Sequence, residues 1–172
     1  MINLYEFLIS RFRDVKRLAV LGVGSVLRAD DAAGILIVET MKCVCESDHY
    51  PDVRFYAGET APENFSGKIR DFCPTHLLVI DAAELGQKPG DIFDIRPEDV
   101  GGPTFCSHML PLKIMIDYLV HETGAAVTLL GIQYKNIDFD TDMTPDIKDT
   151  VDEVCKVLKN VIDKLLCTNK IS

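Results

Sequence analysis

HLLVIDAA, residues 76–83, decides the fold class. Five consecutive apolar or near-apolar residues precede Asp81. An uninterrupted apolar run of that length marks a strand covered on both faces, which is how strands of a parallel sheet read. A second run, LAVLGVG at 18–24, ends in glycines and predicts another buried strand that breaks into a tight turn. Around these two, shorter strand patterns fall at 53–57, 90–95 and 126–132, and the alternation at 90–95 suggests an edge.

Helical spacing fills the intervals. Residues 3–12 place Leu4, Phe7, Leu8 and Phe12 on one stripe, with Arg11, Arg13, Lys16 and Arg17 as a solvated basic cluster. The stretch 33–46 is expected to turn Ile35, Leu36, Val38 and Met41 inward, and a third helix runs through Ile69 and Phe72. Residues 109–123 carry Leu112, Met115, Ile116 and Leu119 on one face, with Gly124 as a stop signal. Thr144-Pro145 reads as a capping hydroxyl followed by proline at the first helical position. The helix behind it repeats Ile147, Val151, Val154, Leu158, Ile162 and Leu165. Strands alternating with helices predict an α/β fold: a three-layer α/β/α sandwich around a mostly parallel, twisted sheet of about five strands. Neither a repeat nor a linker interrupts the pattern, so residues 1–172 read as one domain, with 1–16 as an N-terminal helical extension.

Composition narrows the function. The 172 residues, 47% apolar and 26% charged, suit a globular domain with a sizeable core. Twenty-seven acidic against 18 basic residues give a formal charge of −9. Such a surface repels phosphate backbones and anionic lipid, which argues against nucleic-acid or membrane partners. The six cysteines at 43, 45, 73, 106, 155 and 167 form no C-x-x-C spacing, and the first residues lack the clean apolar stretch of a secretory signal. Reduced thiols in a cytoplasmic protein are the expectation.

Ligands of open α/β sheets collect at the carboxyl ends of the strands. Asp30-Asp31 follows the first buried strand, Asp81 ends the central one, and His108 precedes the helix at 109. Two carboxylates and an imidazole from separate loops would make a three-ligand transition-metal site with open positions. Each has a plainer reading. Asp31 could cap the helix that follows it. Asp30 suits a turn or a cap, and His108 an ordinary loop histidine. Asp81 is harder to dismiss, because an unpaired charge at a buried strand end is costly. Histidines 49, 76 and 121 read as solvated or structural. Gly22-Val23-Gly24 after a strand suggests a dinucleotide loop, but Leu27 stands where the third glycine is required. Cys106, two residues before His108, could be a nucleophile; packing is the better reading of a lone thiol.

Five segments in order resemble the nickel-iron hydrogenase maturation endopeptidases. LGVGSVLRADDAAG (21–34) is similar to that family's opening strand and acidic loop, and GETAPENF (58–65) to its G-G-S/T-A-P-E-N segment. LLVIDAAELGQKPGDI (77–92) resembles its central strand and the turn beyond. SHMLPLKIMIDYL (107–119) resembles its histidine-bearing helix entry, and GIQ (131–133) its late strand end. GETAPENF and SHMLPL look closest to the branch serving formate-hydrogenlyase-type and methanogen-type hydrogenases.

The resemblance implies an endopeptidase that removes the C-terminal extension of a hydrogenase large-subunit precursor after nickel insertion. The nickel would be carried by that substrate and serve as the recognition signal, with zinc or cadmium able to stand in for it in crystals. It assigns both metal ligation and catalysis to Asp31, Asp81 and His108, and it is compatible with a monomer. A nickel-dependent docking module that binds the large subunit without cutting is the alternative; a small nucleotide- or sugar-phosphate-binding protein is disfavoured by the missing phosphate loop. Four features depart from the family: Ser25 for the loop asparagine, Ala32 for the glycine after the acidic pair, Glu59 where a second glycine is frequent, and the N-terminal helix.

Overall fold

The computed structural model describes residues 3–45, 49–96 and 109–167, the last segment without the side chains of 109–111. Five strands form one sheet: β1 (Leu18–Val23), β2 (Val53–Glu59), β3 (His76–Ala83), β4 (Ile92–Ile95) and β5 (Ala126–Gln133). The order is β2-β1-β3-β5-β4, parallel throughout except for β4, which pairs antiparallel to β5 at the edge. Among the described residues, five α-helices flank the sheet: α1 (Leu4–Arg11), α2 (Ala33–Val44), α3 (Ser66–Phe72), α4 (Met109–Thr123) and α5 (Pro145–Leu166). Single 3-10 turns at Ala29–Ala32 and Pro62–Phe65 lead into α2 and α3. The fold is therefore the expected three-layer α/β sandwich.

Strand alternation divides the core in two. Leu18, Val20, Leu78, Ile80, Leu130 and Ile132 pack under α1, α2 and α5. Ala19, Leu21, Val23, Leu77, Val79 and Leu129 meet α3 and α4 on the opposite face. At about 25 cal/mol per Å² of apolar surface, these two layers are the main stabilising term. The N-terminal helix is part of the first layer. Leu4, Leu8 and Phe12 are buried there, and Phe12 meets the His76 ring edge-on at 5.9 Å. His76 is thus structural, and its burial lowers its pKa.

Two local readings change. Leu36 is 43% exposed, whereas its neighbour Ile37 is fully buried. Thr144 does precede the first residue of α5, but its side chain forms no cap. Its hydroxyl instead donates to Asp30 Oδ2 at 3.1 Å. Among the described residues, Cys43, Cys45, Cys73, Cys155 and Cys167 are free thiols, and no helix is long and apolar enough to cross a membrane.

The layer geometry places the chemistry. The chain leaves β1 for β2 on one side, whereas β3 leads to the other half of the sheet, so the topology switches between β1 and β3. A crevice opens at such a point, beyond the carboxyl ends of the two strands.

Candidate active site

A cleft of about 200 Å³ occupies that crevice. Val23, Gly24 and Ser25 line it from the end of β1, and Asp81, Ala82, Ala83 and Glu84 from the end of β3. Glu59 and Thr60 close one side, and Tyr134 and Ile137 beyond β5 the other. Asp31 and Asp81, which lie fifty residues apart in the chain, line the same cleft.

Glycines at the end of β1 bring Asp31 there. A Cβ on Gly24, whose φ is +133°, would lie 1.8 Å from the Asp31 carbonyl oxygen. A Cβ on Gly34 would lie 2.3 Å from the Ile80 carbonyl oxygen and 2.6 Å from that of Val23. The start of α2 therefore packs directly against the ends of β1 and β3, a closeness only glycine permits. Gly-x-Gly serves here to dock a helix on strand ends, not to cradle a pyrophosphate. Ala32 is unstrained, since its φ of −75° is right-handed helical. Ala32, not Asp31, occupies the N-cap of α2.

Asp30 and Asp31 point to different fates. Asp30 is fully buried and accepts four hydrogen bonds. Its Oδ2 receives the N–H groups of Lys135 and Asn136, each at 2.9 Å, and the Thr144 hydroxyl. Its Oδ1 receives the Thr144 N–H at 2.7 Å. It is a structural bracket that joins the loop after β1 to the approach of α5, as a turn-forming role foreshadowed. Asp31 remains half-buried at the cleft.

Asp81 is buried at the end of β3, and its pKa is pushed up to about 7. Burial is the largest cause, because a low-dielectric setting disfavours the charged form. The nearby charge of Asp31 raises it further, and the Ala82 N–H partly offsets both by donating to the carboxylate. Its side chain shares a strand face with Val79 and Ala83, the face covered by α4, whose first residue, Met109, follows His108 in the chain. His108 and Cys106 lie outside the described residues, as does most of the loop expected at 96–107. The described residues alone therefore supply two of the three expected ligands, and they contain no cluster of three metal-ligating side chains.

Three further cleft features were not evident from sequence patterns. Between β1 and β2 the register slips, so that Val23 faces Glu59 and Gly58 is passed over. This bulge leaves Glu59 at φ +50°, a left-handed conformation that glycine adopts freely. Glu59 accepts strain at a position where glycine would have none, and it puts an acidic residue on the cleft wall. Gln133, buried at the end of β5, accepts from the N–H groups of Leu85 and Gln87 and donates to Glu84, which fixes the wall beyond β3. The GIQ segment was the only sequence signal of it. Arg28 Nε donates to the Ile137 carbonyl at 3.2 Å and brings one cation into this acidic lining.

Comparison with known proteins agrees with this architecture. A family model described as hydrogenase maturation protease (HycI) matches residues 35–161. A putative hydrogenase maturation protease of Methanocaldococcus jannaschii is 31% identical over 165 residues, which cover 93% of this chain and 96% of the relative. The hydrogenase 3 maturation protease of Escherichia coli K12 is 36% identical over 141 residues, 81% of this chain and 87% of that one. The crystal structure of a [NiFe] hydrogenase maturation protease from Thermococcus kodakarensis superposes with a TM-score of 0.84 at 27% identity, covering 91% of this chain and 99% of its own. The sheet order, the cleft at its switch point and these similarities converge: the chain belongs to the hydrogenase maturation protease family.

Proposed function

We propose that this chain is an endopeptidase that removes the C-terminal extension of a nickel-iron hydrogenase large-subunit precursor. The observation that carries the reading is the convergence of Asp31 and Asp81 in one cleft, with Asp81 poised near neutrality. A carboxyl group whose pKa matches the working pH can both take and return a proton. Of the two acids, Asp81 is therefore the better base.

Hydrolysis at this site needs few parts. Asp81 accepts a proton from water as the water oxygen attacks the scissile carbonyl carbon. The same proton then passes to the departing amide nitrogen as the C–N bond breaks, which leaves a new C-terminal carboxylate and a free amine. Arg28 stands at the cleft wall as a cation for the developing oxyanion. Nickel enters as part of the substrate, already held by the precursor. Asp31, Asp81 and His108 are the side chains that would meet it, and hard carboxylate and imidazole donors suit a divalent ion with open positions. Its presence would act as the recognition signal and would polarise the carbonyl. The partner is the precursor, the protein acts as a cytoplasmic monomer, and the nickel is carried by the precursor.

The test is direct. Nickel-loaded and nickel-free precursors are incubated with the protein, and the released C-terminal peptide is sought by mass spectrometry. Cleavage of the loaded form only is expected. Asp31→Asn, Asp81→Asn and His108→Ala should each abolish it, while Cys106→Ala should be nearly neutral. Failure to cut the loaded precursor would sink the protease reading, and tight binding without cleavage would favour the docking-module alternative.

A further inference from the structure

The loops that wall the cleft also carry a surface that hydrolysis does not use. The loop after β1 and the loop after β5 are laced together by their backbones. Asp140 N–H donates to the Leu27 carbonyl at 2.8 Å, and Asp30 N–H to the Asn136 carbonyl at 3.0 Å. The Arg28 side chain adds its bond to the Ile137 carbonyl. This lacing holds Val26, Leu27 and Phe139 on one rim, where they are 60%, 56% and 68% exposed. Asp138 and Asp140 adjoin Phe139 in the chain and Asp142 follows three residues on, all of them exposed.

We propose that this rim is the docking surface for the folded body of the precursor. Phe139, with Val26 and Leu27, enters an apolar hollow on the partner that is ringed by lysine or arginine side chains. The inference rests on the proteolytic reading of the neighbouring cleft and names how its protein substrate is held.

Three arguments support that occupant. Position is the first: Leu27 precedes Arg28 and Phe139 follows Ile137 by two residues, and both Arg28 and Ile137 line the cleft. A partner seated on the rim therefore has its adjoining segment at Asp31 and Asp81. Shape is the second. A projecting aromatic tip with aliphatic neighbours suits the buried centre of a protein interface, whereas a small ligand requires a concavity. Charge is the third. Three exposed carboxylates within three residues of an apolar tip select a basic rim on the partner, and on a chain of net charge −9 they oppose anionic lipid or nucleic acid.

Steady-state cleavage of nickel-loaded precursor tests the proposal. Phe139→Ser should raise KM by about tenfold with kcat within about twofold, and Phe139→Leu should recover most of the loss. The combined Asp138→Asn, Asp140→Asn, Asp142→Asn variant should raise KM by about threefold and flatten its dependence on salt. Asparagine also tolerates the left-handed backbone at Asp140, where φ is +57°. Unchanged KM in both Phe139→Ser and Leu27→Ser would overturn the docking role. If the wild-type protein cuts no precursor, the proteolytic reading fails instead. Affinity of the two proteins for immobilised precursor then decides: a tenfold loss in Phe139→Ser upholds docking, and equal affinity overturns it.

Discussion

Asp30 and Asp81 are both buried aspartates at the same end of the sheet, yet their surroundings are opposite. Asp30 sits among four donors drawn from the loop after β5 and the approach to α5. Asp81 sits in apolar surroundings facing another acid, and its pKa rises to about 7. A buried carboxylate with matched donors is an element of structure. One whose backbone donor, the Ala82 N–H, only partly offsets burial and a like charge at a cleft is kept at a cost in stability. The contrast separates the part of this edge that holds the fold from the part available for chemistry.

Breaking the Asp30 side should have the larger effect on stability. Asp30→Ala would leave three backbone N–H groups and a hydroxyl without their acceptor in a buried place. That should destabilise the protein by about 3 kcal/mol. Asp30→Asn should fall between, because its amide nitrogen must face either the Thr144 N–H or the donors now on Oδ2. Thermal unfolding measures both. If Asp30 is purely structural, the cleavage rate per folded molecule should stay within about twofold of wild type. A specific loss of kcat with normal stability would erase the contrast.

The Asp81 side should respond with the reverse sign. A folded-state pKa of about 7 against an ordinary 3.8 means that the native protein retains a proton the unfolded chain has already released. Stability from this group is present below pH 4 and is lost as pH rises through 7. Asp81→Asn removes the titration. Without precursor, the variant should match wild type near pH 4 and exceed it at pH 8 by about 2 kcal/mol, roughly 4–8 °C in Tm. Cleavage should meanwhile fall by at least about a thousandfold. A variant that is no more stable at high pH would show that Asp81 is better satisfied than its surroundings indicate.

These two aspartates also show what the sequence could carry. The sheet and helices were legible because each strand alternates between two covered faces and α5 repeats one face over its whole length. α2 was harder: Ala33 to Val38 is apolar on nearly every side, so local spacing could not choose between Leu36 and Ile37. Asp81 announced itself by following an unbroken apolar strand. The partners of Asp30 lie more than a hundred residues away, and nothing local in the chain could name them. Thr144 was misread for the same reason, since its hydroxyl looked like a local cap and serves a distant carboxylate. The pairing of Asp31 with Asp81 was suggested by their place after two buried strands, and the adjacency of β1 and β3 at the switch point explains it.

The smallest effect sharpens the comparison on the cleft side. Glu59 is a third acidic residue there, and its backbone bears strain of its own at φ +50°. A left-handed conformation costs a side-chain-bearing residue about 1–2 kcal/mol. Glycine relieves that cost but loses about 0.5–1 kcal/mol through its freer unfolded chain. Glu59→Gly should therefore stabilise the protein by only about 0.5 kcal/mol. Glu59→Ala keeps the strained backbone without the carboxylate and should show no gain. The pair separates backbone from charge: equal stabilities would mean that the bulge bears no strain at Glu59. A gain confined to glycine would mean that the chain accepts strain there, as it accepts a buried acid at Asp81, to keep an acidic residue on the cleft wall.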